Sequence, residues 1–296
     1  MGRGLVTASM TPEDAPDRGD DRRQVVASIA EQLGSRQEAV WIVDHVGVDL
    51  APALAERRKA GEPLQYVLGR WPFRSIELAV DPRVLIPRPE TEQVVGVALR
   101  ELERVPSGSG AHAVCVDLGT GSGAIALSLA AEGAATHPDL EIWATDASAD
   151  ALEVARANLA DLGRTDPASA GRVRLAQGRW FEALPSSLVG RVDLLVSNPP
   201  YVTESEYPAL DPTVRLWEPK EALVAGSDDA GVPGMAAIAA IISGAPRWLA
   251  PHGAMVMEIA PSLAGPGLAA ARQAGFGLVS TERDLAGRLR TLVARR

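Results

Sequence analysis

From Ala113 to the C-terminus the apolar residues of this chain switch repeatedly between two spacings. Short apolar runs at 113–118, 141–146, 172–176, 192–197, 254–259, 275–281 and 289–293 read as strands. Helical spacing fills the stretches 122–132, 148–161, 234–249 and 261–274. Strands separated by helices predict an α/β fold with a mostly parallel sheet covered on both faces. Such a sheet binds its ligands at the carboxyl ends of its strands. The two constellations that carry chemistry fall at such ends.

The sequence before this region reads differently. Residues 1–20 are rich in Gly, Asp, Pro and Arg and predict a disordered tail. Residues 21–72 are expected to form a small helical domain. Val25, Val26, Ile29 and Leu33 recur at helical spacing, Gly34 stops the helix and Ser35 can cap the next. Gly61-Glu62-Pro63 is read as a helix break. Residues 73–90 read as a linking β-hairpin, with Ile76, Leu78 and Val80 alternating and Val84-Leu85-Ile86 returning after a turn at Asp81-Pro82-Arg83. Helix resumes over 90–103, and the large domain is assigned to 91–296. The Ser-Gly run at 107–110 is read as a short loop.

Composition removes several classes of function. The 296 residues are 46% hydrophobic, enough for a sizeable core. The net charge of -9 argues against a duplex nucleic acid as sole partner. Cys115 is the only cysteine, and the four histidines follow no ligand spacing, so no metal centre is expected. The single thiol fits a reducing cytoplasm. No stretch has the length of a membrane span or a signal peptide core.

Two constellations carry chemistry. In the first, Val114 to Leu118 forms a strand, Gly119-Thr120-Gly121-Ser122-Gly123 turns, and Ala124 opens a helix. The glycines permit a sharp turn and a close ligand. The spacing differs from the dinucleotide fingerprint Gly-x-Gly-x-x-Gly. Asp146 ends the next strand, where a carboxylate can accept both ribose hydroxyls of a nucleoside; it could also simply cap the following helix. Asp117 either orients the loop or meets the cofactor's amino group. Trp180 is a candidate for the adenine face or for the core.

The second is Asn198-Pro199-Pro200-Tyr201, closing the strand 192–197. The prolines fix the backbone, so the Asn198 amide oxygen and the Pro199 carbonyl can accept the two hydrogens of a planar –NH2 group. Its lone pair is then left for a methyl donor, and Tyr201 can stack on the flat acceptor. A poor nucleophile of this kind gains most of its rate from alignment.

These residues resemble the peptide chain release factor N5-glutamine methyltransferases over roughly residues 21 to 296. The resemblance rests on Pro63-Leu64-Gln65-Tyr66-Val67-Leu68-Gly69, Leu85-Ile86-Pro87-Arg88-Pro89-Glu90-Thr91-Glu92, the run from Asp117 to Ala126, and Ser197 to Val202. It implies a class I, Rossmann-like methyltransferase sheet of seven strands, the last antiparallel, behind a helical domain that docks the partner. The cofactor would be S-adenosylmethionine, leaving S-adenosylhomocysteine, on Gly119 to Gly123, Asp146, Trp180 and Asn198. The substrate would be the glutamine of a Gly-Gly-Gln loop on a class 1 release factor, held by Asn198 to Tyr201. The stretch Ala225 to Gly231 and Ala260 depart from the pattern, and the helical domain is short. Two other readings compete: an adenine-amino (N6) methyltransferase, which shares Asn-Pro-Pro-Tyr, and a non-catalytic nucleotide-binding partner protein.

Overall fold

The computed structural model of the chain describes residues 18–106 and 112–296. The expected tail and the 107–110 loop lie outside them, except that Arg18, Gly19 and Asp20 already belong to the first helix. Asp20 and Asp21 support the early start, since acidic residues in a first turn are attracted to the positive end of the helix dipole.

The chain divides into two compact units between Leu68 and Gly69. The first holds α1 (Arg18–Leu33), α2 (Arg36–Val46), α3 (Ala51–Lys59) and α4 (Leu64–Leu68). Ser35 caps α2 by accepting the Glu38 N–H, as its position before the helix suggests. Val26, Ile29, Ile42, Val43, Ala55 and Leu64 close a small core. The short α4 was not expected, because Pro63 was read as a breaker. A proline is tolerated at a helix start, and here its carbonyl accepts the N–H groups of Tyr66 and Val67.

The second unit opens with β1 (Arg70–Phe73) and β2 (Ile76–Ala79), an antiparallel pair. The hairpin is therefore earlier and shorter than the 73–90 expectation. Arg74 turns it with a left-handed φ of 51°. Val84 and Ile86 are buried but do not form a strand. The Ile86 N–H goes instead to the Glu218 carboxylate at 3.1 Å, and prolines 87 and 89 have no N–H to offer a ladder.

Then come α5 (Pro89–Leu102), β3 (Val114–Leu118), α6 (Ala124–Gly133), β4 (Glu141–Asp146), α7 (Ala149–Thr165), α8 (Pro167–Ala170), β5 (Val173–Gln177) and β6 (Val192–Ser197). After β6 lie α9 (Pro212–Arg215), α10 (Lys220–Leu223), α11 (Ala236–Trp248), β7 (Leu249–Glu258), α12 (Ala264–Gln273), β8 (Leu278–Arg283) and β9 (Leu289–Arg295). The seven strands β3 to β9 lie in the order β5-β4-β3-β6-β7-β9-β8. Only β9 runs against the others, pairing antiparallel with β7 and β8. This is the class I methyltransferase topology the resemblance implied.

β7 begins earlier than the expected 254, with its pairing to β6 shifted between Val192 and Leu194. That irregularity absorbs Pro251, which cannot donate to a regular ladder. β8 begins later than expected, because Gly275 turns the chain at φ +91° before Leu278.

The order of strands places the site. The chain runs from β3 outward to β5, then crosses back to β6 on the other side of β3. The carboxyl ends of β3 and β6 diverge at that switch, leaving a crevice. Both strands are buried along their full length, so the crevice stands on a rigid floor. Ser197 adds a tie by donating to the Leu118 carbonyl at 2.7 Å.

Candidate active site

A cleft of about 850 Å³ opens at the switch point. Its size suits a small-molecule ligand. One wall is the turn after β3. Gly119, Gly121 and Gly123 have φ of 74°, 56° and 87°, a region that disfavours any residue with a side chain. Gly119, Thr120, Gly121 and Ser122 line the cleft. Gly123 instead caps α6, where a Cβ would meet Leu127 at 3.1 Å.

The turn is braced on both sides. Thr145 at the end of β4 accepts the N–H groups of Gly119 and Thr120 through its carbonyl, each at 2.9 Å. Asp146 accepts the N–H of Gly121 through one oxygen and that of Ser148 through the other, both at 2.9 Å. Ser148 caps α7, so the capping role weighed for Asp146 falls to its neighbour. Asp146 reaches the cleft and each carboxylate oxygen still has a lone pair to offer. Burial raises its pKa, opposed by the backbone N–H groups it accepts.

Asp117 is buried and does not line the cleft. Its Oδ2 accepts from the Thr120 hydroxyl at 2.6 Å and from the Ala126 N–H at 3.2 Å, clamping loop to helix. Its Oδ1 has no partner among the described residues. Burial pushes its pKa up to about 7. Of the two roles considered for Asp117, the geometry supplies the loop-orienting one.

Trp180 lines the cleft beside the glycines, its ring 3.6 Å from where a Gly119 Cβ would stand. Its backbone is left-handed at φ 51°, held by Thr145 Oγ1 donating to its carbonyl at 3.2 Å. A flat ring, a glycine cradle and a carboxylate with spare lone pairs together fit an adenosyl group. Among the described residues no cluster of His, Cys, Asp or Glu could hold a metal ion, and no helix is long and apolar enough to cross a membrane.

Asn198 and Pro200, directly after β6, line the same cleft. Pro199 is buried behind them, and neither it nor Tyr201 lines the cleft. The Tyr201 hydroxyl points at Glu258, in a long contact of 3.5 Å to Oε1. Burial pushes the Tyr201 pKa up to about 12, so the phenol stays neutral.

Sequence reading missed four supporting residues. Thr91, on the first turn of α5, lines the cleft and accepts from Asn198 Nδ2 at 3.2 Å. Glu258, ending β7 and buried, accepts the Thr91 hydroxyl at 2.6 Å. Its pKa is raised by burial and drawn back by that hydroxyl. Glu218 pairs with Arg88 at 2.5 Å and fixes the Pro87-Arg88 edge of the cleft. Asn158 on α7 joins the hairpin to the glycine turn, donating to Ala79 O at 3.0 Å and Ser122 O at 2.8 Å. Thr91 and Arg88 stand inside the Leu85 to Glu92 motif, and Glu258 is an acid closing an apolar strand, as Asp146 is. Those were the available signals.

The methyltransferase small domain family matches residues 101–213. The release factor glutamine methyltransferase of Bordetella pertussis is 43% identical over 266 residues, spanning 88% of this chain and 89% of that protein. The chain belongs to the release factor glutamine methyltransferase family. A second member of the family, from Bifidobacterium longum, is 40% identical over 82% of this chain and 79% of its own length. A methyltransferase structure from Pyrococcus furiosus aligns with a TM-score of 0.50 over 75% of this chain and 89% of its own, at 17% identity, which shows a shared fold. Within the release factor glutamine methyltransferase family, the switch-point cleft described above is the candidate methyl-transfer site.

Proposed function

We propose that this protein methylates the side-chain amide nitrogen of a glutamine in the Gly-Gly-Gln loop of a class 1 peptide chain release factor. The observation that carries the reading is that Asp146, ending β4, and Asn198, following β6 on the other side of β3, line one cleft. The β3 and β4 ends suit an adenosyl group, and the turn after β6 suits an –NH2 group. Membership of the family selects a glutamine amide over the adenine amino group that Asn-Pro-Pro-Tyr alone would also admit.

The cofactor in this reading is S-adenosylmethionine, which when bound supplies an electrophilic methyl on a sulfonium. Asp146 would hold the ribose hydroxyls, the Gly119 to Ser122 backbone would allow close approach, and Trp180 would cover the base. Asn198 Oδ1 and the Pro199 carbonyl would accept the two amide hydrogens and turn the nitrogen lone pair toward the methyl. Orientation of this kind is worth several kcal/mol, on the order of 7 or more in favourable cases. Tyr201, which does not line the cleft, would brace the turn from its place beside Glu258. The helical unit is assigned to docking the release factor, and the work is placed in the cytoplasm, where release factors act.

Purified protein, labelled S-adenosylmethionine and a class 1 release factor test this directly. The label is expected on the glutamine of the Gly-Gly-Gln loop, read by peptide mass spectrometry. Label on nucleic acid instead would establish the adenine reading. Cofactor binding without transfer to either would favour a non-catalytic partner protein.

A further inference from the structure

The contacts around Asn198 have a direction. A hydroxyl carries one proton and two lone pairs. The Thr91 hydroxyl lies 2.6 Å from Glu258 Oε2, a length typical of an O–H bonded to a carboxylate. With Glu258 ionised, which the Thr91 hydroxyl and the charge of Arg290 favour against burial, that one proton is engaged there. Toward Asn198, at 3.2 Å, Thr91 Oγ1 therefore offers only a lone pair. Only the Nδ2 end of the Asn198 amide can satisfy it. The flipped amide would set Oδ1 against the Thr91 oxygen, acceptor against acceptor.

We propose that Thr91 and Glu258 form a one-way hydrogen-bond chain that holds the Asn198 amide with Oδ1 toward the substrate, and that this makes the site select an amide over a carboxylate. Rotation of Asn198 by half a turn would present a donor to the cleft, which suits the carbonyl or carboxylate oxygen of a glutamate as well as it suits glutamine. With the chain in place the cleft presents an acceptor, which a glutamate carboxylate meets with repulsion. Glu258 is suited to the task because it is buried and fixed at the end of a central strand. Thr91 is suited because it sits on the first turn of α5, directly after the rigid Pro87-Arg88-Pro89 segment. Neither residue needs to touch the reacting atoms. They are positioning residues, and the inference rests on the glutamine reading of the site.

Thr91→Val keeps the shape and removes the hydroxyl; Thr91→Ser keeps the hydroxyl. The free protein gives a readout independent of substrate, hydrogen exchange of the Asn198 side-chain –NH2 followed by NMR. Slow exchange is expected in the wild type, lost in Thr91→Val and recovered in Thr91→Ser. Against release-factor peptides, Thr91→Val is expected to lower kcat by about ten-fold or more, with KM moved less and the cofactor Kd held within about three-fold. Its binding preference for a Gly-Gly-Gln peptide over Gly-Gly-Glu should narrow by a similar factor, and Thr91→Ser should restore most of each loss. Wild-type exchange and wild-type preference in Thr91→Val would overturn the proposal. So would equal damage in Thr91→Ser, which would reduce Thr91 to a packing role. Slow exchange that depends on Thr91, in a protein that methylates no release-factor glutamine, would uphold the amide orientation and overturn the function instead.

Discussion

Asp146 at the end of β4 accepts the N–H of Gly121, in the turn after β3, at 2.9 Å. The acid expected to hold the cofactor therefore also holds the loop on which the cofactor would lie. The two roles share one carboxylate, so they fail together. Asp146→Ala should lower S-adenosylmethionine affinity by about 10- to 100-fold, the scale of one or two hydrogen bonds to a charged group. Asp146→Asn keeps an acceptor for Gly121 and should lose less. Calorimetric titration of both variants checks the order; equal losses would show that the loop contact contributes nothing.

Gly234 is remote from the motifs, yet it controls one of them. Its φ is +78°, and a Cβ there would stand 2.5 Å from the Tyr201 carbonyl oxygen. Backbone cannot yield as a flexible side chain does. The segment after Tyr201 is already tied down, because Val202 exchanges hydrogen bonds with Leu223 and Ala225. Gly234→Ala should displace the Asn198 to Tyr201 turn and lower kcat by up to about 100-fold. Cofactor affinity should stay near wild type, since the glycine turn follows β3 and not β6. Unchanged kcat would mean that the turn tolerates the shift.

How much of this was legible in the sequence follows from how local each signal is. The strand ends, the glycine turn, Asp146 and Asn198 were readable because each is fixed within a few residues of its own strand. Thr91 and Glu258 are 167 positions apart, and Asn198 meets Thr91 across 107. No periodicity reports such a pairing. The hairpin was misplaced for a related reason. Val84 and Ile86 carry a strand-like pattern, but the Ile86 N–H finds a carboxylate 132 positions away rather than a neighbouring strand. Pro199 and Tyr201 are expected from the sequence to hold the acceptor, yet only Asn198 and Pro200 of that turn line the cleft, because which residues face it depends on how the distant β7 packs beside β6.

The Arg88–Glu218 pair illustrates the cost of buried charge. The Glu218 side chain is 1% exposed and the Arg88 side chain 31%. Burial raises the Glu218 pKa, while Arg88 and the Ile86 N–H pull it back. Arg88→Met leaves the carboxylate without its counter-ion and should destabilise the fold by about 3 kcal/mol. A carboxyl with a raised folded pKa binds its proton more readily in the folded state, so the loss should deepen as pH rises. Adding Glu218→Gln should recover part of it. Urea unfolding of the single and double variants at two pH values separates these effects, and a double variant no better than Arg88→Met would rule out buried charge as the cause.

Asp117 gives the clearest pH dependence. Its ordinary value of 3.8 is pushed to about 7, chiefly by burial and further by the charge of Asp146. Between those values the folded state holds a proton that the unfolded state has released. Stability therefore falls as pH rises through that window, by up to about 1.4 kcal/mol per pH unit. It levels off above about 7, where both states are ionised. Asp117→Asn removes this contribution, and its amide oxygen can still accept from Thr120 and Ala126. Asp146 and Glu258 are shifted in the same direction but remain in both proteins, so the difference between variant and wild type reports Asp117 together with its charge coupling to Asp146. That difference, from urea unfolding at several pH values, should grow in favour of the variant from acid to neutral pH and then become constant. A difference that does not change with pH would mean that Asp117 is ionised throughout, its charge balanced inside the folded loop.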